Sequence, residues 1–242
     1  MKNWFETWFD SPYYPILYKN RSADEAELFI NQLLNVLNLK AGSKIIDVGC
    51  GRGRHSIYLA QKGFEVCGID LSSQSIADAQ KSAHKHLEFH IHDMRDLFRT
   101  NSFDCAVNLF TSFGYFENES ENMAAIQNMA KSLKNNGVFV MDYLNTEKTI
   151  RNLQAEAEIE IQNITFQIKK YIQNGFILKE IRFRDQNEDF IFTEKVGILN
   201  IEHFKNYFSQ AGLKIVNLYG NYQLKSFDPT ESERLIMIAV KA

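Results

Sequence analysis

The residues from Ile45 to Ser56 read Ile-Ile-Asp-Val-Gly-Cys-Gly-Arg-Gly-Arg-His-Ser. An apolar strand runs straight into a glycine loop and then into a helix start. Glycines let the backbone turn tightly and let a ligand approach the main chain. The helix N-terminus adds unpaired amides and the positive end of a dipole. Asp70 closes the next apolar run, where an acid can accept from the two hydroxyls of a ribose. Gly49 and Gly51 fit the dinucleotide pattern G-x-G-x-x-G. Position 54 is arginine and the third glycine is Gly53, so nothing is clearly provided for a pyrophosphate. The phosphate loop G-x-x-x-x-G-K-[ST] is absent. The chemistry expected is therefore nucleoside binding.

Positioning this loop requires an alternation of strands and helices. Short apolar runs at 44–48, 64–69, 87–91, 103–110 and 138–141 read as strands. Helical spacing fills 22–39, 54–62, 73–86 and 120–133. Ser22 and Glu25 form a capping box at the first of these helices. Such alternation predicts a parallel sheet covered on both faces. After residue 150 the period changes to two, and Asn174-Gly175 and Asp185–Asn187 signal hairpin turns. Three or four antiparallel strands are expected there. A helix at 201–211 and strands at 213–219 and 235–240 return to the core. The predicted fold is α/β: a doubly wound, seven-stranded Rossmann-like sheet with a small antiparallel insertion after the fifth strand. Residues 1–242 read as one domain, with an arm or lid at 1–21 and the insertion at 151–200.

Four segments carry a resemblance in their order: Asp47-Val48-Gly49-Cys50-Gly51-Arg52-Gly53, Gly68-Ile69-Asp70-Leu71-Ser72, Asp93-Met94-Arg95-Asp96 and Phe103-Asp104. Together they resemble the motif series of class I S-adenosylmethionine-dependent methyltransferases. The run from Leu109 to Phe116 and the antiparallel insertion are similar to the branch holding amino-sugar N-methyltransferases. In that branch a Tyr-x-x-Arg before the first helix helps enclose the cofactor, and Tyr18-Lys19-Asn20-Arg21 matches it. The resemblance implies S-adenosyl-L-methionine as cofactor, with Gly49, Cys50 and Gly51 against its methionine and ribose. Asp70 would take the ribose hydroxyls and Leu71 would pack on adenine. Asp93 would accept from the adenine amino group, with Met94 beside the ring. Leu109 and Phe110 would lie near the sulfonium, and Tyr18 and Arg21 near the methionine carboxylate. Tyr14, Tyr115 and Tyr143 are candidates for meeting substrate. The segment after the fifth strand, Met141-Asp142-Tyr143-Leu144-Asn145, departs from the branch, which leaves the acceptor open.

The remaining chemistry is sparse. No residue stands out as a general base. Asp47 is expected to orient the glycine loop, and His55, opening a helix, to be near the cofactor. His90 and His92 share one face of a strand, but no third or fourth ligand falls nearby, so no metal is expected. Hydrophobic residues make up 45% and charged residues 24%, which excludes disorder for most of the chain. A net charge of −3 disfavours nucleic acid. Asn108-Leu109-Phe110-Thr111 stands where an Asn/Asp-Pro-Pro-Tyr motif would serve planar nitrogens. Cys50, Cys67 and Cys105 show no pairing pattern and read as core thiols of a cytoplasmic protein. No signal peptide or membrane span is expected. The expected partner is a small-molecule methyl acceptor, an amine by resemblance, and the chain a monomer or homodimer. The alternatives are an RNA or protein methyltransferase and a non-catalytic S-adenosylmethionine-binding module.

Overall fold

The structure, a computed structural model, describes residues 3–19 and 23–242. Arg21 and the Ser22 half of the expected capping box lie outside the described residues. Two short helices, α1 (Trp4–Trp8) and α2 (Tyr14–Leu17), precede α3 (Ala23–Leu37). The core continues through β1 (Lys44–Val48), α4 (Arg54–Gln61), β2 (Glu65–Asp70), α5 (Ser73–Ala79), β3 (Leu87–Ile91), β4 (Phe103–Asn108), α6 (Glu119–Ser132) and β5 (Leu133–Leu144). After α7 (Thr146–Arg151) come β6 (Glu156–Ile161), β7 (Ile164–Gln173), β8 (Phe176–Asp185) and β9 (Glu188–Gly197). The chain closes with α8 (Ile201–Gln210), β10 (Leu213–Tyr219) and β11 (Arg234–Lys241).

The main sheet has seven strands in the order β10-β11-β5-β4-β1-β2-β3. Strands β1 to β5 run parallel, and β11 enters antiparallel between β5 and β10. Alternate strand residues feed opposite layers. Ile45 packs with Phe29, Ile30 and Leu33 of α3 and Leu59 of α4. Ile46 packs with Ala125 and Ile126 of α6 and Phe204 of α8. The sheet is thus doubly wound. Its strand order reverses direction between β1 and β4, which leaves a crevice at their carboxyl ends.

The second sheet is an antiparallel meander, β6-β7-β8-β9. Its hairpins turn at Gln162-Asn163, Asn174-Gly175 and Gln186-Asn187, each with φ positive at both residues. That is the twist that suits two-residue hairpins. The first of these turns lies between Ile161 and Ile164, and the alternation of isoleucines hides it. One face of this sheet buries Phe166, Ile181 and Phe183 against Trp8 and Leu17 of the N-terminal arm. That packing explains α1 and α2, which are too short to show a helical period.

Two further differences have local causes. The helix expected over 73–86 ends at Ala79 and passes through a 3₁₀ turn at Gln80–Ser82. His84 and Leu87 exchange backbone hydrogen bonds of 3.0 and 2.9 Å, which pulls the chain into a turn entering β3. The strand expected over 138–141 instead starts at Leu133 and takes in Asn135, Asn136 and Gly137, with Asn136 at φ 61° and a register shift in the pairing with β4.

Candidate active site

The glycine loop is built from its own backbone. The Gly49 and Cys50 amides both donate to the Ile69 carbonyl, at 2.8 and 3.0 Å, folding the loop onto β2. A Cβ on Gly49, at φ 73°, would stand 2.7 Å from the Ser112 Cβ, so the loop after β4 requires glycine there. Gly51, at φ 55°, has no atom within 4 Å of where a Cβ would be. It faces a cavity of about 470 Å³ at the crevice between β1 and β4. Asp47, buried beneath the loop, accepts from the Ser56 hydroxyl at 2.6 Å and so ties β1 to α4. Burial pushes its carboxyl up to about 6, against the pull of the Ser56 hydrogen bond.

Asp70 lines the cavity at the end of β2. Its Oδ2 accepts from the Gly51 amide and its Oδ1 from the Ser72 amide, both at 2.8 Å. Burial raises its pKa, and the two amides pull it part of the way back. Each oxygen keeps a further lone pair. Asp93 also lines the cavity, held by Arg95, whose Nη2 lies 2.6 Å from Oδ2. Burial works to raise that carboxyl, but the Arg95 contacts outweigh it and the pKa falls below the ordinary value. Arg95 reaches on to Glu121 at 2.5 Å and lies over the Phe116 ring.

Of the other expected site residues, Tyr18, Cys50, Leu71, Met94, Leu109 and Phe110 line this cavity. Cys50 is buried, and desolvation raises its thiol well above the ordinary range. Tyr14 and Tyr115 line it too; the Tyr115 hydroxyl donates to the Thr111 carbonyl. Tyr143 does not. It is fully buried, its ring 5.2 Å from Phe204 and its hydroxyl donating to the Gly197 carbonyl at 2.7 Å. Met141 to Leu144 still pair with β11, so the side chain points into the layer beneath α8 rather than off the strand end. The sequence puts Tyr143 just after the strand, at the end of the sheet, as a candidate for meeting substrate; β5 instead runs past it to Leu144.

The structure also assembles residues that the motifs do not mark. Phe110 and Thr111 take φ 57° and 62°, an uncommon conformation for residues with a Cβ. Asp142 holds them there. Its Oδ2 accepts from the Phe110 amide at 2.8 Å and its carbonyl from the Thr111 amide at 3.0 Å. Arg234 closes the group, with Nε 2.7 Å from Asp142 Oδ1 and Nη2 2.9 Å from Thr111 Oγ1. Tyr222 stacks on Phe110, and the Arg54 guanidinium lies 4.1 Å from the Phe110 ring centre. Long-range partners of this kind leave no local signal.

His55 is buried at the start of α4, 4.9 Å from Phe110. Its Nε2 has no hydrogen-bond partner among the described residues. Burial pushes the imidazole down to about 3, and Arg54 adds to the effect. An unfolded histidine titrates near 6.5, so the unfolded state takes the proton first. This contribution to stability is present above about pH 6.5 and is lost as pH falls toward 3. Asp47 acts oppositely, its contribution fading as pH rises from about 4 to about 6. Replacing His55 by Gln is therefore expected to flatten the acid decline of Tm between pH 6.5 and 4. The removed slope amounts to at most about 1.4 kcal/mol per pH unit. Parallel declines in both chains would contradict the assignment.

His90 and His92 part company. His90 Nε2 sits 3.1 Å from Glu88 Oε2, and His92 Nε2 sits 3.0 Å from the Asp96 carbonyl. Cys67, Glu88 and His90 bring one donor atom each within 4.8 Å of one another. Glu88 is already engaged by Arg99 at 2.6 Å. No helix among the described residues is long and apolar enough to cross a membrane.

The strand order, with a glycine loop after β1 and an acid ending β2, defines the class I methyltransferase fold. Residues 45–137 match the family model described as a methyltransferase domain. A proposed methyltransferase of Geobacillus sp. (strain WCH70) is 25% identical over 249 residues, spanning 98% of each chain. Among solved structures, an S-adenosylmethionine-dependent methyltransferase from Clostridium acetobutylicum superposes with a TM-score of 0.80 at 18% identity, covering 95% of this chain and 96% of that one. An S-adenosylmethionine-bound amino pentose methyltransferase from Micromonospora echinaspora gives 0.72 at 21%, covering 96% and 98%. Residues 45–137 thus match a methyltransferase domain, and the whole chain shares the fold of S-adenosylmethionine-dependent methyltransferases.

The cavity suits that cofactor. Asp70 presents unshared lone pairs beside the open space above Gly51, as a ribose diol requires. The lining of the cavity is rich in aromatic side chains, the kind of surface that attracts a sulfonium cation.

Proposed function

We propose that the chain methylates a small-molecule amine. The observation carrying this reading is the enclosure of the cavity by the N-terminal arm. Phe5, Phe9, Tyr14, Pro15 and Tyr18 all line it, which leaves little room for a folded polymer at the glycine loop. The likeness to an amino pentose methyltransferase supports the choice of an amine.

In this reading Gly49, Cys50 and Gly51 face the methionine and ribose, and Asp70 accepts from the ribose hydroxyls. Leu71 packs on adenine, while Asp93 accepts from its amino group beside Met94. Leu109 and Phe110 border the sulfonium end, with Tyr18 and Arg21 toward the carboxylate. Tyr14 and Tyr115 are left to meet the acceptor.

S-adenosylmethionine supplies an activated methyl group on a sulfonium. The chain's own task is to hold acceptor and cofactor in line, which alone accounts for much of such a rate. A hydroxyl acceptor needs a base to take its proton, whereas a neutral amine attacks before losing one. The cavity favours the amine. His55 is held neutral far below the working range, His92 is turned to the Asp96 carbonyl, and Asp70 and Asp93 are engaged by amides and by Arg95.

The test is transfer of labelled methyl from S-adenosylmethionine to panels of amines, alcohols, thiols, RNA and protein. An amine class is expected to raise S-adenosylhomocysteine formation at least about tenfold over background, with a rate rising with pH as the amine deprotonates. Transfer to RNA, protein or hydroxyl compounds alone would overturn the reading. Tight cofactor binding with no transfer to any panel would favour a non-catalytic module.

A further inference from the structure

Strands β6 to β9 contribute no side chain to the lining of the cofactor cavity among the described residues. Yet β9 carries Glu194, which reaches the arm that does line it. One oxygen, Glu194 Oε1, accepts from the Trp8 indole Nε1 at 2.7 Å and from the Tyr18 hydroxyl at 2.5 Å. Its cross-strand partner on β8, Lys179, donates to the same Tyr18 hydroxyl at 2.7 Å. The side chains of Glu194 and Lys179 are 15% and 17% exposed, so the cluster is shielded from competing water. Hydrogen bonds to a charged acceptor in such a place are the strong ones.

The grip spans the arm. Trp8 ends α1, the helix that carries Phe5 and is capped by Phe9; Tyr18 follows α2. All three of Phe5, Phe9 and Tyr18 line the cavity. Between the two gripped residues, Asp10 ties the arm to the core. Its Oδ1 accepts from the Ser72 hydroxyl at 2.6 Å and from the Gln74 amide at 3.2 Å. Ser72 is the residue whose amide also holds Asp70. The arm is thus pinned on one side to the ribose-facing loop and on the other to the inserted sheet.

We infer that Glu194 is a positioning residue of the cofactor site: from the inserted sheet it holds the arm closed over the cavity by gripping Trp8 and Tyr18 together. The inserted sheet then acts on the bound cofactor through the arm, by slowing its release. This inference rests on reading residues 3–19 as a lid over the cofactor.

The test compares the full chain with Glu194→Gln, alone and in a Trp8→Phe/Tyr18→Phe background that removes both donors and leaves an aromatic ring at each position. S-adenosylhomocysteine is the probe, with affinity from calorimetry and release from stopped-flow mixing. Both tryptophans, Trp4 and Trp8, lie in α1, so emission of the free protein reports the arm. Glu194→Gln alone is expected to weaken binding about tenfold, chiefly through faster release, and to shift emission to the red. In the double background it should change affinity less than about twofold. Asp10→Asn, at the other attachment, should also speed release. Unchanged affinity, release and emission in Glu194→Gln would overturn the inference. So would an equal loss in both backgrounds, which would mark a general effect on the sheet. Failure of the unmodified chain to bind the probe would instead sink the cofactor reading on which the inference stands.

Discussion

Replacing Asp70 by alanine is expected to lower affinity for S-adenosylhomocysteine by at least about 100-fold while leaving the chain folded. Two losses add. In the proposed reading the carboxylate gives up charge-assisted hydrogen bonds to a ribose diol, each of order 1.5–3 kcal/mol. It also releases the Gly51 and Ser72 amides, both held at 2.8 Å, so the glycine loop loses its shape. Asp70→Asn separates the two effects. One amide oxygen replaces one carboxylate oxygen, but the NH₂ group faces either a backbone amide or a hydroxyl, so an intermediate loss is expected. Calorimetric titration checks both. Affinity within about fivefold of the unmodified chain for Asp70→Ala would show that the ribose lies elsewhere.

The second large effect concerns stability. Asp142 is fully buried and pairs with Arg234 at 2.7 Å, while its other oxygen accepts from the Phe110 amide. Asp142→Ala leaves a guanidinium and an amide without their partner in the interior. Breaking a buried pair on one side costs about 3–5 kcal/mol. For a chain of this size that corresponds to a fall in Tm on the order of 10 °C. Phe110 and Thr111 sit at positive φ, which is held against a local cost of about 1–3 kcal/mol each. Without Asp142 the turn is expected to relax, so cofactor affinity should fall as well. Arg234→Met together with Asp142→Leu removes both charges and should recover part of the stability but not the affinity. Thermal unfolding of the three chains checks this; a fall of less than about 2 °C for Asp142→Ala would contradict it.

These two residues mark the line between what the sequence shows and what it hides. The place of Asp70 at the end of β2 is legible because strand, loop and acid are contiguous and follow the local rules of an open α/β sheet. The same holds for Gly49 and Gly51, and for the order of β1 to β5. Asp142 is hidden because its partners Phe110 and Arg234 lie 32 and 92 positions away. By its apolar run the fifth strand reads as four residues that stop before Tyr143, whereas pairing with β11 carries β5 to Leu144. The helices of the arm leave no periodic signal for a related reason. Trp4–Trp8 and Tyr14–Leu17 are stabilised by what they cover, through contacts such as Trp8 on Phe192 and Tyr13 on Phe183, and not by their own period. Arg21 falls outside the described residues, so the Tyr-x-x-Arg pattern is represented here by Tyr18 alone.

The inserted sheet shows a different kind of gap. Its hairpin turns are readable at 174–175 and 185–187, where polar turn residues stand together, and blurred at 162–163, where isoleucines flank the turn. Its use was not readable. Here its links to the cavity run through the arm: Glu194 to Trp8 and Tyr18, and Asp185 to the Tyr13 hydroxyl at 2.9 Å.

The most direct measurement is a crystal structure of the chain with S-adenosylhomocysteine. The expected result is a nucleoside at the carboxyl ends of β1, β2 and β3, with both ribose hydroxyls on Asp70, adenine between Leu71 and Met94 near Asp93, and the arm closed above it. A nucleoside seated away from Asp70, or a closed cavity with the ligand bound elsewhere on the chain, would contradict the cofactor site described here.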